Sequence, residues 1–428
     1  MFCTVGPGPN TVGRGPGTLE DPVNTVDLAP AAVTAAADRI RSGVRHTPTV
    51  RSRALSREAG AEVYIKLENR QTTGSYKERG ALNAMLMLGP AERERGVVTM
   101  SAGNHGQAVA YHGARLGLRT TVVMPEITPL LKVRRTRDFG AEVVLHGITF
   151  DDAASYGREL AARTGATLVH PYDDANVIAG QATATLELLQ DAGTELDVLL
   201  VPVGGGGLIS GAVLAVEAAG ARTEVVGVQS VFYPSMASAL TGAPPHPGGP
   251  TIAEGIAVKA PGALPLALVR GRVNDVVLVF EPAIETAIAL LLEEEKLVTE
   301  GAGAAGVAAL LAEAPRFAGK RVGTLLCGGN IDLGMLASVI VRHRMRSGRV
   351  VRVRVHMVDK PGELASVALA ISEARANVLD IAHHRVFGSL SAKHAELDVT
   401  VEVERPEDLP AIMEAIEKRG FEAEVVTE

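Results

Sequence analysis

The chain is 428 residues long, with 46 glycines, 14 aromatic residues (8 Phe, 6 Tyr, no Trp) and a formal net charge of −7. Hydrophobic residues make up 46% and charged residues 21%, a composition that excludes a disordered chain; the length suits two or three domains. The acidic balance and the shortage of rings exclude a nucleic-acid binder, which needs a basic face and stacking surfaces.

Residues 1–22 are Gly/Pro-rich and lack both a basic start and an apolar run, so they read as a flexible tail rather than a signal peptide. Two cysteines, Cys3 and Cys327, are too few for a disulfide framework and fit a reducing, cytoplasmic setting. From Val63 onwards, short β-branched runs alternate with alanine- and leucine-rich helical patterns. The predicted strands are Val63–Leu67, Val97–Met100, Thr120–Met124, Glu142–His146, Asp197–Val203, Glu224–Val228, Asp275–Phe280 and Arg321–Leu326. Between them lie helical patterns such as Gln107–Leu116, Asp151–Arg163, Gly180–Ala192 and Pro282–Lys296. The alternation predicts an α/β fold with parallel sheets, and wholly apolar strands such as VLLVPV predict helices on both sheet faces. Val198 to Val216 carries no charge, but Pro202 and Gly204–Gly207 in its middle suit a strand, turn and helix rather than a membrane span.

The pattern changes within Arg342–Gly348, where a domain boundary is expected. Val350–Val358 and His394–Val403 alternate apolar and polar residues, as in a half-exposed antiparallel sheet. With helices at Gly362–Arg375 and Glu407–Lys418 and strands at Asn377–Val386 and Phe421–Val426, the order is βαββαβ, a ferredoxin-like unit. Residues 349–428 carry a net −5 of the total charge and the remainder only −2. The expected units are therefore 23–345 and 349–428.

Three loops carry chemistry. Gly204-Gly205-Gly206-Gly207 follows a strand and opens a helix, so its backbone N–H groups converge beside a positive helix end and suit a phosphate. No Gly-Lys-Ser/Thr follows and the spacing is not GxGxxG, which leaves a small ligand with a single phosphate. Ser101-Ala102-Gly103-Asn104-His105 is a second strand-to-helix turn, offering N–H groups, a hydroxyl, an amide and an imidazole to a carboxylate. In Thr73–Glu78, Ser75 and Glu78 have capping-box spacing, which places Lys77 in a first helical turn where the dipole disfavours its charge. A phosphate cradle, a carboxylate cradle and a lysine amine are what pyridoxal phosphate chemistry on an amino acid requires.

On KLENRQTTGSYKERGALNA (66–84), SAGNHGQAVA (101–110), PVGGGGLISG (202–211), TIAEGIAVK (251–259), LVTEGAGAAGVAAL (297–310) and LLCGGNID (325–332), residues 26–345 resemble the pyridoxal-phosphate-dependent threonine/serine dehydratases, of tryptophan-synthase-β-like fold (fold type II). The resemblance implies that Lys77 carries the cofactor as a Schiff base and acts as general base. It further implies that Gly204–Leu208 hold the phosphate, that Asn104 bonds the ring hydroxyl, and that Ser101–His105 receive the substrate carboxylate. Cys327 stands where the pyridine nitrogen meets a neutral partner, and Tyr76, where Phe is usual, is expected against the cofactor. Ala102 replaces the second serine of serine racemases, which argues against racemisation. Gln229 and Ser235 stand at those enzymes' metal-acid positions, so no metal is expected, while Glu254 and Glu300 are expected near the site.

Residues 349–428 resemble an ACT regulatory domain through VDKPGELASVALAISEARANVLDI (358–381), with Asn377 where the second strand begins and the effector expected near the DKPG turn. The implied reaction is elimination from L-threonine to 2-oxobutanoate and ammonia, with L-serine secondary, as in isoleucine biosynthesis or amino-acid breakdown. Isoleucine or valine is the expected effector, and a homodimer or homotetramer the expected assembly. The rival readings are a serine or hydroxyaspartate dehydratase, and a non-catalytic amino-acid sensor.

Overall fold

Strands that are apolar along their whole length lie between helices, and this sets the architecture of the larger part of the chain. The computed structural model describes residues 28–244, 246, 248–385 and 393–426; the tail expected at 1–22 lies outside them. In chain order the first ten strands are β1 (Thr49–Ser52), β2 (Glu62–Lys66), β3 (Val97–Met100), β4 (Thr120–Met124) and β5 (Glu142–Leu145), then β6 (Thr167–Leu168), β7 (Val198–Pro202), β8 (Glu224–Ser230), β9 (Asp275–Val279) and β10 (Arg321–Leu325). They build two sheets, one in the order β1-β2-β10-β7-β8-β9 and one in the order β5-β4-β3-β6. Every pairing is parallel except β1 with β2. All eight strands expected between Val63 and Leu326 are present, whereas β6 is only two residues long and β1 (TVRS) carries a single apolar residue, so neither shows in the sequence.

Helix Gly301–Ala312 shows how the larger sheet is covered. Its first ten residues, all Gly, Ala, Val or Leu, are buried, and it packs on the strands at the sheet centre. Small side chains let an all-apolar helix lie close against the strands. Helix Lys77–Leu86 uses the same device against helix Ala175–Asp191. A Cβ on Gly180 would lie 2.5 Å from the Arg79 carbonyl oxygen, so the backbones meet where a side chain has no room.

That helix pair is also fixed by buried charge. The guanidinium of Arg79, fully buried, forks between Glu68 (2.8 Å to each carboxylate oxygen) and Glu187 (2.7 Å to each). Lys66, equally buried, donates to the Thr47 carbonyl at 2.6 Å and pairs with Glu187 and Asp191 at 2.8 and 3.0 Å. Burial alone would raise the Glu68 carboxyl, but the Arg79 guanidinium wins and holds it below the usual carboxylate range.

The last four strands, β11 (Val350–Val358), β12 (Asn377–His384), β13 (His394–Glu402) and β14 (Glu422–Val425), form an antiparallel sheet in the order β12-β13-β11-β14. With helices Glu363–Glu373 and Leu409–Lys418 this is the expected βαββαβ unit. Val353, Val355, Leu397, Val399 and Val401 face a core shared with Val367, Ile371, Ile412 and Ile416 of the two helices. The other sheet face is polar, laced by a two-bond contact of Arg354 with Asp398 at 2.7 and 2.9 Å. Helix Leu333–Arg346 leads into this unit, so the chain stays helical through most of Arg342–Gly348. Its last turn is tied on both sides. Arg342 and Arg346 pair with Glu285, and Arg344 reaches Glu402 at 2.5 Å.

Breaking a buried ion pair leaves the remaining charge uncompensated and costs about 3 kcal/mol or more, whereas an exposed pair is worth under about 1 kcal/mol. We therefore expect Glu68→Gln to lower stability in urea unfolding by about 3 kcal/mol, and Asp197→Asn, which breaks the exposed pair with Arg321, by under about 1 kcal/mol. Equal losses at the two positions would remove the role given to burial.

Candidate active site

Loops at the carboxyl ends of β3, β7 and β10 meet the start of helix Lys77–Leu86, the usual place for a ligand in parallel α/β sheets. The turn before that helix is held by the loop after β10. The Tyr76 N–H donates to the Cys327 carbonyl at 3.1 Å, the Gly329 N–H to the Gly74 carbonyl at 2.9 Å, and Ser75 bridges Gly328. This pairing overturns the expected capping box. Ser75 makes no cap, its buried hydroxyl has no partner, and the Glu78 carboxylate instead accepts the Thr73 N–H. The β-like pairing to residues 327–329 draws Ser75 inward, away from the helix end.

Lys77 is the first residue of its helix, as expected, and its Nζ donates to the Pro171 carbonyl at 2.8 Å. Burial pulls its ammonium down to about 8, against the opposing pull of Glu300. Removal from water, rather than the helix dipole, is the main cause.

Asn104 opens helix Asn104–Arg115, and its amide is held on both sides. Its Nδ2 donates to Glu300 Oε1 at 2.6 Å, and its Oδ1 accepts from Asn330 Nδ2 at 2.8 Å. Burial raises the Glu300 carboxyl to about 7, partly offset by the bond from Asn104. Glu300 thus lies in the site, while Glu254 is exposed and pairs with Lys132. Ser101 Oγ accepts the Gly103 N–H at 3.2 Å, and a Cβ on Gly103 would meet no protein atom within 4 Å. Ala102 is half-buried beside them. His105 departs from expectation. Its ring is buried and hydrogen-bonded to the Val169 carbonyl at 3.1 Å, and burial with nearby Lys77 lowers its pKa to about 3. The imidazole is neutral and turned into the core, so only the His105 backbone can serve an anion.

The glycine loop runs from β7 into helix Gly207–Ala218, with Gly206 at φ 98°, a left-handed conformation that a side chain would strain. Among the described residues, the N–H groups of Gly205, Gly206, Gly207 and Leu208 donate to no protein acceptor. Tyr172 lies directly on this loop, and a Cβ on Gly205 would come within 2.3 Å of its ring. Cys327 follows β10 with its thiol raised well above the usual range by burial and by Glu300, so it stays neutral. The Tyr76 ring lies beside Lys77, its centroid 5.3 Å from Nζ. Gln229 spends its amide on the Val203 carbonyl, Ser235 and the N–H groups of Met236 and Ala237. Among the described residues no group of three or more His, Cys, Asp or Glu is placed to hold a metal.

These features fit pyridoxal phosphate. Four free N–H groups at a helix start suit its phosphate, a half-buried amine of lowered pKa suits its aldehyde, and the Ser75 hydroxyl, two residues before that amine, is buried with no protein partner. Sequence reasoning missed Pro171, Tyr172 and Asn330. Asn330 lies in the LLCGGNID segment, but Pro171 and Tyr172 follow the two-residue β6 and carry no signal.

Residues 40–328 match the family described as "Pyridoxal-phosphate dependent enzyme", and residues 351–421 match the ACT domain. A Thermotoga maritima protein named L-threonine ammonia-lyase is 41% identical over 90% of this chain and 96% of its own length. The structure of the processed form of threonine deaminase isoform 2 from Solanum lycopersicum superposes with a TM-score of 0.69 at 31% identity, covering 74% of this chain and 88% of that one. Serine racemase from Dictyostelium discoideum superposes at 0.67 with 34% identity, over 71% of this chain and 99% of its own. With its half-buried lysine, its open glycine loop and these relatives, the chain belongs to the pyridoxal-phosphate-dependent enzymes and carries a C-terminal ACT domain.

Proposed function

We propose that the protein is a threonine ammonia-lyase, eliminating the β-hydroxyl and amine of L-threonine to give 2-oxobutanoate and ammonia. One observation carries the chemistry: a half-buried amine, Lys77, whose pKa of about 8 keeps a usable fraction neutral, accompanies a phosphate loop with four free N–H groups and a turn whose Ala102, Asn104 and His105 N–H groups donate to no protein acceptor among the described residues. The choice of threonine rests on the relatives named L-threonine ammonia-lyase.

Bound pyridoxal phosphate supplies a conjugated ring that takes up electron density released at the substrate Cα. Lys77 holds the cofactor and, once displaced by the substrate amine, accepts the Cα proton on Nζ. The N–H groups of Gly205–Leu208 bind the phosphate dianion, with Gly204 leading the chain into the loop. Asn104, fixed by Glu300 and Asn330, would hold the ring hydroxyl through its amide. Cys327 would face the ring nitrogen as a neutral thiol, a partner unable to hold that nitrogen protonated. Tyr76 packs beside the cofactor. The turn Ser101–Asn104 and the His105 N–H receive the substrate carboxylate at a helix start. Ala102 puts no base on that turn, so elimination rather than racemisation follows.

The ACT domain binds an amino-acid effector, isoleucine or valine, near the DKPG turn. The working unit is a homodimer or homotetramer, and cysteine usage supports a cytoplasmic setting. Among the described residues no helix is long and apolar enough to cross a membrane. Residues 23–345 form the catalytic unit and 349–428 the regulatory one.

The decisive measurement is kcat/KM for L-threonine against L-serine. We expect threonine to be favoured, and Lys77→Ala to lose both turnover and the cofactor's visible absorbance; a strong serine preference would overturn the substrate. Because burial holds Lys77 near 8, cofactor uptake by the apoprotein should rise about tenfold per pH unit below that value and level off above it. Uptake still climbing steeply from pH 9 to about 10.4, the ordinary lysine value, would contradict the depressed amine. Titration with isoleucine and valine should change threonine turnover in the full chain and leave a chain lacking residues 349–428 unaffected. A response that survives truncation would place the effector elsewhere.

A further inference from the structure

We infer that Lys132 is a positioning residue for the substrate: paired with Glu254, it clasps the smaller sheet's unit onto the turn supporting both the phosphate loop and Glu300. The inference rests on the elimination reading above and identifies a contact controlling how firmly that same site holds its amino acid.

Lys132 lies in helix Leu130–Asp138, which follows β4 of the four-stranded sheet, and Glu254 opens the short turn Glu254–Ile256 between β8 and β9. The two meet side chain to side chain across 122 residues of sequence. Among the described residues this is the only hydrogen bond or ion pair from helix Leu130–Asp138 to the larger unit. Hence this helix of the smaller sheet's unit reaches the larger unit through one ammonium.

The turn that Lys132 grips is part of the site's wall. A Cβ on Gly204 would lie 3.1 Å from the Gly255 carbonyl oxygen and 3.2 Å from Ile256 Cα, so the turn backs the phosphate loop in contact. A Cβ on Gly255 would lie 2.9 Å from Ala302 Cβ and 3.8 Å from Glu300 Oε1, so the same turn also touches the helix start that anchors Asn104. Both partners act on Glu300 electrostatically, Glu254 raising its carboxyl and Lys132 lowering it. Movement of the clasp therefore bears on both cradles together.

Exposure indicates a reversible clasp. The Glu254 side chain is 72% exposed and that of Lys132 34%, so either can return to water at little cost. A pair of this kind shifts an equilibrium by about fivefold at most, and it weakens as salt screens it. A contact of that size changes how long the site stays closed on a bound amino acid without altering the chemistry at Lys77.

The test uses the full-length holoenzyme with Lys132→Gln, Glu254→Gln and the charge exchange Lys132→Glu/Glu254→Lys. Threonine KM and kcat are read together with the Kd of L-2-aminobutanoate, which lacks a β-leaving group and is followed by the change in cofactor absorbance. We expect each single variant to raise both KM and Kd about three- to fivefold, with kcat within about twofold of wild type. The exchange should restore both constants. Raising salt from about 0.05 to 0.5 M should raise KM in wild type and leave the single variants unmoved. Unchanged KM and Kd in Lys132→Gln, a loss confined to kcat, or an exchange as weak as either single variant would each overturn the clasp. Wild-type enzyme inactive on L-threonine yet still binding L-2-aminobutanoate through the clasp would sink the substrate assignment instead.

Discussion

The site depends on a few backbone hydrogen bonds between two segments some 250 residues apart. The Thr73–Lys77 turn pairs with Cys327–Gly329, a short piece of β-like contact at the end of β10. Through it the lysine, the thiol and the Asn330 amide are placed by one backbone geometry. Asn330 then spends its two protons on the Thr73 carbonyl and Asn104. A peptide-to-peptide pairing has little freedom to rotate, so Lys77 sits where the sheet puts it rather than where a long flexible side chain would. The Arg79 fork, two residues on, fixes the same helix from its opposite side.

Withdrawal from water then sets the charge states. Cys327 and His105 are buried and Lys77 and Glu300 half-buried, and loss of water moves each toward its neutral form: the amine and imidazole downward, the carboxyl and thiol upward. A site built this way meets an anionic ligand with N–H dipoles at two helix starts rather than with fixed cations. That agrees with the scarcity of lysine and arginine in the three loops. It also explains why the near-neutral first unit can bind a phosphate and a carboxylate, since backbone N–H groups add no formal charge.

Much of this was legible in the sequence because glycine-rich turns and apolar strands are local signals. Gly204–Gly207, Ser101–Asn104 and Lys77 fall where the loops meet, and eight of the first ten strands and the βαββαβ order were readable from the residue pattern. What was not legible is non-local. A capping box is a three-residue pattern, and nothing in Ser75–Glu78 announces that residues 327–329 will take the turn's backbone. His105 looked like an anion ligand by type, yet its rotamer depends on Val169, at the end of a strand of two residues. Tyr172 belongs to no periodic element, although it covers the loop whose purpose was plain.

The glycine excess has a physical division of labour. Some glycines let whole elements meet, as Gly180 does where the Lys77 helix touches its neighbour, and others clear the ligand's path, as Gly103 does with open space beyond it. The two uses respond differently to an added methyl. At Gly180 the methyl would push against a carbonyl of the Lys77 helix and displace the amine, damaging the site from behind. At Gly103 it would meet no protein atom, so its whole effect would fall on whatever occupies the site. Alanine at these two positions thus separates the glycine that shapes the enzyme from the glycine that admits its substrate.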